Sequence, residues 1–153
     1  MVGEVRTVPL FTAWLKVAKP QPLGNTPTGQ RLVVVVEGGQ FEGERLRGTV
    51  DSGGADWLLL RRDGVLQMDV RLVLHTDDNQ RILMTYRGYR HGPADVIERL
   101  GKGENVDPST YYFRTAPFFE TSSERYDWLN GIVSVATGER LPEGPVYRVY
   151  EVL

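Results

Sequence analysis

The 153-residue chain contains no cysteine. That absence excludes a disulfide framework, a thiolate nucleophile and a zinc–thiolate site together, and it is compatible with a reducing cytoplasm. Long apolar runs are absent as well. The longest, Leu32–Val36 and Trp57–Leu60, fall far short of the roughly 20 residues that span a bilayer as a helix, so no membrane partner is expected. A strong charge of either sign is missing too. Net charge is −2, which gives no basic field for nucleic acid or an anionic membrane surface. The opening Met1–Leu10 alternates and carries both charge signs, unlike the basic start and apolar run of a signal peptide.

What is present reads as one domain. Apolar residues make up 41% and charged residues 25% of the chain, ordinary values for a globular fold. A chain of this length buries roughly 68–70% of the surface it exposes when unfolded, so neither metal nor disulfide is needed for it to fold. No cofactor is implied.

Period-2 alternation and β-branched runs dominate. The pattern predicts strands over Leu10–Lys19, Arg31–Glu37, Arg45–Val50, Asp56–Arg62, Val65–Thr76, Arg81–Tyr89, Tyr111–Glu120, Asp127–Gly138 and Val146–Val152. Leu23–Gln30 has loop chemistry, and Gly38-Gly39, Asp51–Gly54, Asp63-Gly64 and Asp77-Asp78-Asn79 read as turns. Pro117 demands an edge or a bulge within its strand. One short helix is predicted from Pro93 to about Leu100, started by proline, ended by Gly101 and too short to stand without tertiary packing. Many short strands with closely spaced turns and one helix indicate an all-β antiparallel barrel of about eight to ten strands, with a sandwich as the alternative.

Charged and aromatic residues on strands are the chemical feature of the chain. On Val65–Thr76 one face reads Met68, Val70, Leu72, Leu74 and is core. The other reads Gln67, Asp69, Arg71, Val73, His75. In half-buried strands such a face meets solvent. In a barrel with a ligand cavity it lines the lumen; the strand pattern alone favours solvent, and the lumen is favoured only when Arg114, Glu120 and Asn130 are taken together with the family resemblance given below. On this expectation Asp56, Asp69 and Glu120 are the candidate proton donors or acceptors. Trp57, Arg71, Tyr86, His91, Tyr112, Arg114, Trp128 and Asn130 are the candidate substrate-binding residues. A buried Asp or Glu has its pKa raised by desolvation or lowered by arginine, so it can exchange a proton near neutral pH, while arginines and an amide orient an oxyanion or carboxylate. The two histidines have no ligand spacing around them that repeats, so no metal site is expected. No serine sits in a strained elbow with a histidine partner.

The run of motifs Gly38-Gly39…Gly43, Gly53-Gly54-Ala55-Asp56-Trp57, Asp63-Gly64, Asp69-x-Arg71, Arg90-His91-Gly92-Pro93, Tyr111-Tyr112-Phe113-Arg114, Phe119-Glu120 and Trp128-Leu129-Asn130 resembles domain-of-unknown-function family 3237, also called uncharacterised protein family 0311. The resemblance runs from about Pro9 to Val152. It implies a single-domain β-barrel of the calycin-like kind. It brings no settled activity and no family-wide catalytic residues. Asn79 stands where the family's Asp-Asp-Gly turn has glycine.

Three functions follow as expectations: a cofactor-free acid–base enzyme acting on an aromatic or polycyclic molecule, of isomerase, cyclase or lyase type; a carrier of a small organic ligand; or a structural barrel. A homodimer is expected, in particular with the last.

Overall fold

The computed structural model describes residues 3–153; Met1 and Val2, the start of the alternating N-terminal stretch, lie outside them. Ten strands form: β1 (Thr7–Val17), β2 (Gln21–Thr26), β3 (Gly29–Glu42), β4 (Arg47–Val50), β5 (Ala55–Leu60), β6 (Leu66–Thr76), β7 (Arg81–His91), β8 (Tyr112–Glu120), β9 (Val133–Leu141) and β10 (Gly144–Val152). One helix, α1 (Ala94–Gly101), joins β7 to β8. The strands pair antiparallel in the order β1-β10-β9-β8-β7-β6 and then, through β4 and β5, to β3. The pairing of β1 with β3, from Thr12–Glu42 to Val17–Val36, closes the ring. Because β4 and β5 follow one another along β3, the barrel has eight places around it. β2 extends the wall along the first half of β3. Among the described residues, closure pairs both edges of the ring strands, and β2, bonded only to β3, keeps one short free edge.

Inward and outward residues alternate along β6, β7 and β8, as the pleat requires, while irregularities in β1 and β3 break the alternation, so that the adjacent Leu10 and Phe11 are both buried. β6 sends Met68, Val70, Leu72 and Leu74 inward, and β8 sends Phe113, Thr115, Pro117 and Phe119 inward. The two ends of the lumen differ. One is filled by aromatic and branched side chains, with Phe11 set edge-on to both Phe41 and Phe119 at 5.4 and 5.9 Å between centroids. The other end holds the polar residues described below.

Several boundaries differ from the sequence pattern, each for a physical reason. Gly38-Gly39 is no turn. Both residues lie inside β3, opposite Lys16 and Leu15 of β1, and the missing side chains let β3 pass from one set of partners to the next. A Cβ on Gly39 would drive into the backbone of Trp14. The predicted loop Leu23–Gln30 instead forms β2 and the start of β3, because backbone pairing from Gln21–Val33 to Thr26–Gly29 outweighs its loop-like composition. The predicted strand from Asp127 begins as a 3₁₀ turn over Asp127–Gly131, and strand geometry starts at Val133. Pro117 sits in mid-strand, facing Tyr86 of β7. It is tolerated because β8 and β9 pair only at Arg114–Thr137 and Thr115–Ala136. Past that point the Ser134 hydroxyl donates to the Pro117 carbonyl. At the β6–β7 hairpin Asn79 takes a left-handed φ of 65°, which asparagine tolerates better than most residues, and its Oδ1 is hydrogen-bonded to His75 Nε2 at 2.7 Å.

Candidate functional site

A cavity of about 230 Å³ occupies the polar end of the lumen. Its walls are mostly apolar, with Leu15 from β1, Val34 and Val36 from β3, Leu58 from β5, Met68 and Val70 from β6, and Phe113 from β8. α1 contributes Leu100 and Gly101. Its Val96 and Leu100 are buried in the core, and this packing holds a helix too short to persist alone. Five polar side chains converge on the same space: Asp56, Tyr86, Arg90, Arg140 and Tyr147.

Asp56 is placed by a gap in the β5–β6 ladder. The strands pair at Asp56–Val70 and resume at Leu59–Gln67. In the gap the Asp69 backbone N–H donates to Asp56 Oδ1 at 3.0 Å, and the Trp57 carbonyl accepts from Arg31 at 2.8 Å. The carboxyl thus completes a sheet contact while facing the lumen. Burial disfavours its charged form and pushes its pKa from 3.8 to about 6; the nearby Asp69 charge adds to the rise, and the Asp69 N–H and the Arg90 guanidinium oppose it.

Around Asp56 stand two buried phenols. Tyr86 and Tyr147 meet edge-on at 5.1 Å between ring centroids. Burial raises both pKa values, that of Tyr86 well above the ordinary phenol value, so both remain hydrogen-bond donors over the physiological range. Arg90 extends from β7 over the Phe113 ring at 5.9 Å, and its buried Nε has no hydrogen-bond partner. Burial and the facing Arg140 guanidinium lower its pKa. Arg140 Nη1 donates to the Leu141 carbonyl at 2.6 Å, and the Arg140 backbone N–H donates to the Tyr111 hydroxyl at 2.9 Å. The set combines a carboxyl that titrates near neutrality, two phenol donors and two cations, in a largely apolar chamber. Such a set can move a proton and stabilise a developing oxyanion. Among the described residues no group of three or more His, Asp or Glu side chains is placed to hold a metal ion.

Of the eleven residues predicted as site residues, Asp56 and Tyr86 reach this cavity. The expectation that the polar face of β6 lines the lumen is corrected. The apolar phase Met68–Leu74 points inward, and Asp69 and Arg71 are carried on the outer wall, because one face of a pleated strand cannot share the core with the other. Asp69 there lies 3.8 Å from Arg87, and Arg71 is exposed. Trp57 is outward and 50% exposed. Glu120 is exposed at the end of β8. His91 and Tyr112 stack on each other at 4.9 Å outside the lumen. Arg114 lies over Tyr112 at 5.5 Å, its Nη1 donating to the Phe113 carbonyl. Tyr112 and Arg114 thus line an open groove on the outer wall with Tyr89 and Tyr150. Trp128 packs against the core under the Arg45 guanidinium at 4.4 Å. Asn130 ties down a loop, accepting from the Thr121 N–H and donating to the Thr121 carbonyl.

Arg90, Arg140 and Tyr147 also line the cavity and are not among the residues the sequence pattern points to. A signal exists for the two arginines. Each continues the inward phase of its strand two residues after a glycine, as Tyr86-x-Gly88-x-Arg90 and Ala136-x-Gly138-x-Arg140. A charged residue in the apolar phase of a strand is the pattern to look for.

The chain matches the family described as Protein of unknown function (DUF3237) over residues 5–152. It belongs to that family. Among family 0311 proteins, one from Clostridium acetobutylicum is 33% identical over 99% of this chain and 96% of its own. A crystal structure of a conserved protein of unknown function from Rhodopseudomonas palustris superposes with a TM-score of 0.95 at 31% identity, covering 99% of this chain and all of that one. A beta-barrel like protein from Acinetobacter baumannii gives 0.87 at 35% identity, covering 100% and 99%. A protein from Penicillium herquei described as an enzyme shares the fold at a TM-score of 0.76 and 22% identity, over 100% of this chain and 98% of that one.

Proposed function

We propose that the chain binds a small organic molecule in the lumen and transforms it by acid–base chemistry, without a cofactor, with Asp56 as the group that accepts or donates the proton. The observation that carries this reading is the half-buried, largely desolvated carboxyl, its pKa raised to about 6, facing a cavity. A group poised near the working pH makes the most effective proton shuttle. Tyr86 and Tyr147 supply donors to the oxygen that gains charge. Isomerisation, cyclisation or elimination beside a carbonyl are reactions of this class. The volume is about half as large again as an apolar cavity of about 150 Å³ that binds benzene, which favours substrates of one or two rings over larger polycyclic ones.

The test is a thermal-shift screen of one- and two-ring ketones, phenols and acids, each hit then followed by proton NMR in D₂O. Hits are expected to rearrange or to exchange protons with the wild type and only to bind to Asp56→Asn. Hits recovered unchanged from both proteins would instead favour the second reading, a carrier, which the mostly apolar wall of the cavity supports. A homodimer formed through the outer wall of β8 and β9 is part of the proposal. Phe118, Val133 and Val135 are exposed there. Sedimentation velocity at micromolar concentration is expected to give twice the chain mass, and a monomer refutes this part.

A further inference from the structure

The charges around the cavity do not balance. Asp56 on β5 is the one carboxylate that lines it, against Arg90 on β7 and Arg140 on β9. Tyr86 and Tyr147 line it as neutral phenols, the Tyr111 hydroxyl is taken up by the Arg140 backbone, and Asp69 reaches the site through its backbone N–H. β1, β3 and α1 contribute apolar side chains and Gly101. Among the described residues neither arginine forms an ion pair, and the buried Arg90 Nε donates to nothing. Arg140 is part-exposed and also borders a smaller pocket that contains Glu104, whose carboxylate is paired with Arg99. Holding the buried Arg90 guanidinium in a largely apolar chamber beside a second cation is costly, and the cost recurs in every folded molecule. A ligand of opposite charge would repay it.

Resting on the lumen site proposed above, we infer that its ligand is a small organic carboxylate, held by Arg90 and Arg140, with its apolar body against Phe113 and Met68. The planar guanidinium fork matches a carboxylate's two oxygens better than any single-point acceptor. Asp56 stands beside this anion, so the two negative charges compete for the same cations. The carboxylate therefore binds most tightly when Asp56 holds its proton.

The experiment is calorimetric titration with 2-naphthoate and its neutral isostere 2-naphthamide at pH 7.5. Naphthoate is expected to bind at least about tenfold more tightly than the amide. Arg90→Met and Arg140→Met are each expected to weaken naphthoate by about tenfold or more and to leave the amide within about twofold. Naphthoate affinity of the wild type should rise as the pH falls from 8 to 5.5, and that of Asp56→Asn should stay flat. If an arginine variant fails to fold, the probe pair and the pH series on the wild type decide the matter alone. Equal or tighter binding of the amide, or naphthoate binding unchanged in folded arginine variants, overturns the carboxylate inference and leaves the acid–base reading of the lumen standing. No saturable binding of either probe overturns both.

Discussion

At the scale of single residues, Asp56 has the clearest physical signature. Its pKa rises on folding from 3.8 to about 6 because burial strips water from the carboxylate. The folded chain therefore keeps a proton that the unfolded chain has already released. Below the unfolded value both states are protonated, and the contribution to stability is complete. It is lost as pH rises through the folded value of about 6. The difference amounts to about 3 kcal/mol at neutral pH. Asp56→Asn is expected to be more stable than the wild type above pH 6, by up to that amount, and close to it at pH 4. Urea unfolding at both pH values measures the difference, and an Asn variant that is less stable at pH 8 would refute the assignment. Catalysis, where it depends on ionised Asp56, should rise through the same pH. The penalty at neutral pH is a reason to read Asp56 as functional, since an asparagine could take the Asp69 N–H at less cost.

At the scale of elements, two pieces shape the cavity. Gly138 on β9 lets the Phe113 ring sit against the strand, since a Cβ there would come within 2.5 Å of the ring. Gly138→Ala is expected to cost about 1–3 kcal/mol by overpacking and to weaken ligand binding together with stability. Denaturation and calorimetry on the same sample check the pair of effects. α1 depends on Val96 and Leu100 for its place. Leu100→Ala removes the larger part of one wall contact, at about 2–4 kcal/mol if the helix stays docked. Hydrogen exchange is expected to quicken first over Ala94–Gly101, before the strands respond, because so short a helix opens locally. The sequence marked this helix through Pro93 and Gly101. It did not mark the β3 continuity through Gly38-Gly39, because a glycine pair in a strand and a glycine pair in a turn look alike until partners on both sides are known.

At the scale of the whole molecule, the barrel is a packed plug at one end and a chamber at the other. The plug is anchored by Phe41, 1% exposed, and by Phe11 and Phe119 around it. Phe41→Ala is expected to cost about 3–5 kcal/mol and to lower the unfolding midpoint of the entire barrel, since ring closure ties β1 and β3 to every other strand. Two separate transitions in calorimetry would contradict that coupling. The alternating pattern of the sequence determined that the chain is an antiparallel β structure with one short helix, and the lack of cysteine determined that no disulfide holds the core. Both are read locally, from the period of the pleat and from composition. The sequence also singled out Asp56 and Tyr86. Only the tertiary structure decided which strand face became the lumen, because alternation fixes that faces differ but not which one closes inward. It alone brought Arg90 and Arg140, 50 positions apart in the chain, to the carboxyl of Asp56, since ring closure and register place them together and no local pattern encodes that distance.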